Sequence, residues 1–214
     1  MHEKQIPLPS GRKSAFAARN RESLIRAAQE SIAVNGAEFT IEDVADRAGM
    51  AVSTVYKHFS NRDQLFNVAV LSAMSDWETW ALNIASTEDD PLAGLVLPMR
   101  LLVKMNLTHP VYSQIALRST KEYASLLPQL AATLSAHIND LAELKLIDVG
   151  DLESRVTNLV ACLTSAFETA TRDGDLSSAL KQIETSLNLI GISPDLAGKL
   201  MNRPLPEISG VPAS

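Results

Sequence analysis

The sequence predicts an all-α protein of about nine or ten helices, and three observations predict it. Apolar residues recur at three- and four-residue steps along nearly the whole chain. Alternating, β-branched runs of the kind that form strands are scarce. Hydrophobic residues make up 46% of the 214 positions, enough to bury a substantial core.

The elements follow in order. Residues 1–16, with Pro7, Pro9 and Gly11, read as a flexible arm made basic by Lys4, Arg12 and Lys13. A first helix over residues 17–35 carries a buried stripe of Leu24, Ala28 and Ile32 or of Ile25, Ala28 and Ile32, and Gly36 stops it. Thr40 starts a short second helix, with Asp43 three residues on as the acidic partner in a capping box. Val44, Ala45 and Ala48 give that helix its inner face, and Gly49 ends it. A third helix over residues 52–59 follows after a few residues. Ser60-Asn61 then reads as a break and a new cap. The fourth helix, residues 62–85, sets Val70, Met74, Trp77, Ala81 and Ile84 on one stripe.

Pro91 suits the first position of a fifth helix running to residue 106. Pro98 should bend it, because the ring and missing N–H leave the Gly94 carbonyl without its helical donor. A short helix over residues 110–118 and a longer one over 121–144, with Pro128 as a point of division, lead to a turn at 147–151. The last two helices are the most regular. Leu152, Val156, Leu159, Leu163, Ala166 and Ala170 mark the first, and Leu176, Leu180, Ile183, Leu187 and Ile190 the second. Asp173-Gly174-Asp175 joins them, which predicts an antiparallel hairpin. A small-residue face of Ala161, Ser165 and Thr169 lets the first of the pair pack on a second side. From Arg203 onward, Pro204, Pro206 and Pro212 predict a frayed tail.

Charge divides the chain. Residues 1–62 hold nine Lys+Arg against seven Asp+Glu, which leaves ten against eighteen in the remainder, within a net charge of -6. A mildly basic N-terminal module on an acidic body can present one face to DNA and repel it elsewhere. The single cysteine, Cys162, permits no internal disulfide and suits a reducing cytoplasm. No signal peptide and no stretch long enough for a membrane span is visible, so a cytoplasmic protein with no membrane partner is expected.

The informative segment is Thr40–Leu65, TIEDVADRAGMAVSTVYKHFSNRDQL. A short helix, a turn containing glycine and a second short helix form the helix-turn-helix plan. A helix that enters the major groove needs small or hydrogen-bonding residues at its N-terminal end, and Val52, Ser53 and Thr54 stand there. Val55 and Phe59 point back to the module's core, while Tyr56, Lys57 and His58 offer polar tips toward the sugar-phosphate backbone.

Ala48-Gly49-Met50, Ser53-Thr54-Val55-Tyr56, His58-Phe59, Arg62 and Leu65 resemble the signature of the tetracycline-repressor (TetR) family, and Ala27-Ala28, Gly36 and Thr40 fall where that family has them. The specific match covers about residues 20–66. Ala51 stands where Ser is common, Ser53 where Gly or Pro is common, and Ala37 where an aromatic is usual, with Phe39 available to fill that space. The resemblance implies that Thr40, Tyr56, His58 and Arg62 contact phosphates. It also implies that Val52, Ser53 and Thr54 face base edges and that Lys57 meets a base or the backbone. Arg12, Lys13 and Arg19 would add backbone or minor-groove contacts.

The resemblance further implies four regions: a basic arm (1–16), a helix-turn-helix DNA-binding domain (17–66), a ligand-binding and dimerisation domain (67–202) and a tail (203–214). Candidates for lining a small-molecule pocket are Trp77, Trp80, Met99, Arg100, His109, Tyr112 and Phe167. The hairpin is expected to form a four-helix interface in a homodimer, with Leu152, Val156, Leu159, Leu163, Leu180, Ile183 and Leu187 along its seam. The expected partners are a double-stranded DNA operator, a small-molecule inducer and a second copy of the chain, and the expected activity is repression relieved by the inducer. A ligand-independent DNA-binding regulator is the nearest rival. A helical enzyme is disfavoured: His58, His109 and His137 lack metal-ligand spacing, and no phosphate loop, dinucleotide fingerprint or nucleophile elbow occurs. No cofactor or metal is expected.

Overall fold

The computed structural model describes residues 11–206, which form eleven α-helices and two short 3-10 turns with no strand among them. The chain divides into two compact units, the first ending at Ala69 and the second beginning at Val70.

The first unit opens on α1 (Gly11–Asn35). The helix begins before the predicted start at residue 17, so the last part of the expected arm is helical; Ser14, Ala15, Ala17 and Ala18 do not oppose a helix, and Gly11 sits at its end, where glycine costs least. Residues 1–10 of that arm lie outside the described residues. Leu24, Ala28 and Ile32 of α1 are fully buried. Gln29, also buried, donates through Nε2 to the carbonyl of Ala69 at 3.2 Å, so a polar side chain in this small core has its partner. A 3-10 turn (Gly36–Glu38) leads to α2 (Ile41–Ala48), α3 (Val52–His58) and the start of α4 (Arg62–Ala85). Phe39, Val44, Val55, Phe59 and Leu65 close the core, and the rings of Phe39 and Phe66 stack at 5.9 Å.

The second unit takes the rest of α4 and adds α5 (Pro91–Leu102), α6 (Met105–Thr108), α7 (Pro110–Arg118) and α8 (Thr120–Glu143). It ends with α9 (Leu152–Arg172), α10 (Leu176–Ser186) and α11 (Pro194–Met201). Three elements differ from expectation. The fifth helix stops at Leu102 rather than residue 106, and the turn at Val103-Lys104 lets Val103 and Met105 both enter the core while Lys104 stays half-buried. Pro128 does not divide α8: it and Ala124, whose carbonyl loses its donor, are both exposed, so water can satisfy that carbonyl. The second helix of the hairpin tightens into a 3-10 turn at Leu187–Ile190.

The hairpin itself forms. Asp151 and Asp175 cap α9 and α10 by accepting from the backbone N–H of Ser154 and Ser178. Beyond it, Gly191 takes a φ of 83°, and a Cβ there would stand 2.5 Å from the carbonyl oxygen of Asp148, so only glycine permits this approach. Sequence reading overlooked α11, although Ser193 as N-cap and Pro194 at the first helical position both announce it. Nor is Arg203 frayed. Its guanidinium meets Asp90 at 2.7 Å and Glu88 at 3.3 Å, and its carbonyl accepts from Arg100. The remainder of the expected tail, residues 207–214, lies outside the described residues. No helix among the described residues is long and apolar enough to cross a membrane.

Candidate functional site

The first site is built on α2 and α3. Thr40 and Asp43 form a reciprocal capping box: the Thr40 hydroxyl accepts from the Asp43 N–H at 3.1 Å, and the Asp43 carboxylate accepts from the Thr40 N–H at 2.9 Å. These bonds hold the Asp43 carboxyl below its ordinary range, the Thr40 backbone N–H contributing most. The Thr40 hydroxyl keeps its own proton to donate. Gly49 ends α2 in the left-handed region at φ 63°, and the N–H of Met50 bonds the Ala45 carbonyl at 2.9 Å, so the chain reverses within two residues. That turn sets up α3.

Within α3, Val55 is fully buried, as is Phe59 immediately after it. Ser53, Tyr56 and Lys57 are exposed, and Val52, Thr54 and His58 are half-buried. Tyr56 is 54% exposed, too much for a residue whose task is to fill the core. The outward face of α3 therefore collects hydroxyls, an ammonium and an imidazole, all groups that hydrogen-bond to bases or phosphates. Arg62 is partly committed elsewhere: its Nε donates to the Phe39 carbonyl at 2.9 Å, and its guanidinium lies 4.8 Å from the centre of the Phe39 ring. Only its remaining N–H groups are left for a phosphate. Arg21 similarly lies over Phe59 at 5.1 Å. Arg19 is exposed on α1, while the side chains of Arg12 and Lys13 lie outside the described residues.

The second site is a cavity of about 300 Å³ within the second unit, walled chiefly by α4, α5 and α8. Leu71, Met74, Ser75, Glu78 and Leu82 line it from α4, and Leu126, Gln129, Leu130, Thr133, Leu134 and His137 from α8. Both sets follow three- and four-residue steps, so each is one face of its helix. Pro98 and Met99 of α5 and Leu163 of α9 complete the wall.

Of the seven candidate pocket residues, Trp77 and Met99 line this cavity and the other five do not. Arg100 is buried and turned to the carbonyls of Leu200 and Arg203; burial lowers its pKa. His109 sits edge-on to Trp80 at 4.4 Å and stacks on Tyr112 at 5.5 Å, with Nδ1 3.0 Å from the Thr108 hydroxyl, and burial pushes its imidazole pKa down. Phe167 is core. Sequence reading missed Glu78, Gln129, Thr133 and His137. The available signal was a polar residue at each i+3 or i+4 step of an otherwise apolar helical face.

The seven seam residues are also placed. Val156, Leu159, Leu163, Ile183 and Leu187 are buried inside the chain's own second unit, and Leu152 and Leu180 are half-buried. Ala161 and Ser165 of the hairpin are exposed. Among the described residues, no group of three His, Cys, Asp or Glu side chains is arranged to hold a metal.

A short capped helix, a glycine turn and a second helix with a polar outward face define a helix-turn-helix DNA-binding module. Residues 24–69 match the sequence profile of bacterial regulatory proteins of the tetR family. That module carries the signature of the tetR family of regulators. No curated protein matches the chain. Solved structures share the fold. The structure of RolR in complex with the ligand resorcinol is 22% identical, covers 92% of this chain and 100% of its own, and superposes with a TM-score of 0.70. A TetR transcription regulator from Haloarcula marismortui is 20% identical, over 81% of this chain and 97% of its own, with a TM-score of 0.65. A protein solved to explain control of antibiotic production by bacterial hormones is 21% identical, over 80% and 95%, with a TM-score of 0.66.

Proposed function

We propose that the protein is a dimeric repressor that a small molecule releases from an inverted-repeat operator. The observation that carries this reading is the cavity walled by α4, the one helix that begins in the DNA-binding module and continues into the second unit. A ligand that shifts α4 at Met74 or Glu78 acts on the same continuous helix that starts at Arg62. It changes operator affinity only by its difference in affinity for the two arrangements. The resorcinol complex of RolR, a protein of the same fold, supports a ligand-responsive second unit.

Thr40, Tyr56, His58 and the free N–H groups of Arg62 hold phosphates, and Val52, Ser53 and Thr54 read base edges, with Lys57 at a base or the backbone. The dimer forms through the α9–α10 hairpin, with Leu152 and Leu180 at its margin and the buried seam residues as its support. Two copies of α3 then reach successive major grooves roughly 34–36 Å apart.

Selection from random duplexes at physiological salt tests the reading. An enriched inverted repeat, released from the protein by compounds that occupy the cavity, is the expected result. Absence of enrichment, or release that survives filling of the cavity, refutes it.

A further inference from the structure

We infer that the cavity takes an uncharged, largely apolar molecule that presents a hydroxyl or N–H donor to Glu78, and that it discriminates against organic acids. This rests on the reading above that the cavity is the effector site.

The charges of the wall carry the argument. Among the described residues that line the cavity there is no lysine or arginine. Of the two cations adjacent to lining residues, Arg100 beside Met99 spends its guanidinium on the carbonyls of Leu200 and Arg203, and the half-buried Lys104 beside Met105 is not among the residues that line the cavity. An anion entering the cavity therefore finds no lysine or arginine to replace its water, only the imidazole of His137 and neutral donors, and meets the carboxylate of Glu78.

Glu78 supplies the positive selection. It is half-buried, and its side chain has no ion-pair or hydrogen-bond partner among the described residues. A carboxylate accepts hydrogen bonds and donates none, so a ligand that satisfies it must donate. Ser75, Gln129, Thr133 and His137 can each donate and accept, and so do not discriminate. Apart from the indole N–H of Trp77, a donor buried without a partner, the rest of the wall is apolar, and the volume falls at the small end of the range for small-molecule sites, roughly 300–1,000 Å³. A ligand ammonium would also satisfy Glu78, but it must shed its hydration against a single carboxylate, a loss that such a pair does not recover.

The test uses the full chain and four two-ring probes of one shape: 2-naphthol, 2-methoxynaphthalene, 2-naphthoate and 2-naphthylmethylamine. Binding is measured by calorimetry and by fluorescence of Trp77 and Trp80. Naphthol is expected to bind about tenfold or more tightly than its methyl ether, with naphthoate the weakest of the four. Glu78→Leu should abolish the preference for naphthol over the ether. Glu78→Gln, which keeps size and an acceptor, should strengthen naphthoate while naphthol stays within a few-fold. Circular dichroism checks that both variants fold. Naphthoate or the ammonium binding more tightly than naphthol, with Thr133→Trp blocking both, overturns the ligand class and leaves the effector cavity standing. No binding by any probe, or binding that Thr133→Trp leaves unchanged, overturns the effector reading itself and the class with it.

Discussion

Arg100 donates through Nη2 to the carbonyl oxygen of Arg203 at 2.6 Å, so a buried guanidinium on α5 holds the chain just past the end of α11. Nη1 lies 3.4 Å from the carbonyl of Leu200, one of the last carbonyls of α11. A cation at a helix C-terminus is favoured by the helix dipole and satisfies acceptors that the helix leaves open. Arg203 is held in turn by Asp90 and Glu88.

Arg100→Met should therefore cost about 1–3 kcal/mol of stability, the penalty for leaving buried carbonyls without donors. Urea unfolding checks this, and an unchanged midpoint would show that water replaces the guanidinium.

Tyr56→Phe should weaken binding on every duplex alike, by roughly 2- to 10-fold, if the exposed hydroxyl holds a phosphate. Thr54→Ala should instead change which base is preferred beneath α3. Anisotropy titrations on the selected operator and its single-base variants separate the two. Equal losses on all variants for Thr54→Ala would remove its base-reading role.

His109 should make stability depend on pH. Burial holds its folded pKa below the ordinary imidazole value of about 6.5. Between those two values the unfolded chain binds a proton that the folded chain does not. Stability therefore falls as pH drops through that window and levels off below the folded value. His109→Phe keeps an aromatic ring between Trp80 and Tyr112 and should flatten this part of the profile, as read from unfolding midpoints.

Leu163→Asp should unfold the second unit. Leu163 is 2% exposed and lines the cavity, so an aspartate there is a buried carboxylate without a partner. Loss of cooperative unfolding is the expected outcome. A folded monomer would instead make Leu163 an interface residue.

The sequence announced the fold through features local to a few residues. Thr40 with Asp43, Gly49, and Asn61 with Gln64 are caps and turns whose chemistry acts within one helical turn, and each is where its spacing placed it. The outward face of α3 was legible for the same reason, because Val55 and Phe59 fix which side turns inward. The cavity was not. Its wall is assembled from faces of α4 and α8 that lie far apart in the chain, and no local pattern says that they approach. Aromatic and charged residues drew the choice toward Trp80, Arg100 and His109, which pack ring against ring or bond the backbone instead. The seam residues show a related point: periodicity identifies a buried stripe but does not say whether it is covered by the chain itself or by a partner.

The close approach of Gly191 to Asp148 has a kinetic consequence. It joins the two ends of the α9–α10 hairpin, whose helices pair outward from the turn between Arg172 and Leu176 through contacts that begin between neighbours in sequence. Segments of this kind incur little loop entropy before their contacts form. The hairpin is therefore the region where folding of the second unit should nucleate, and a bulkier residue at position 191 should slow refolding as well as lower stability.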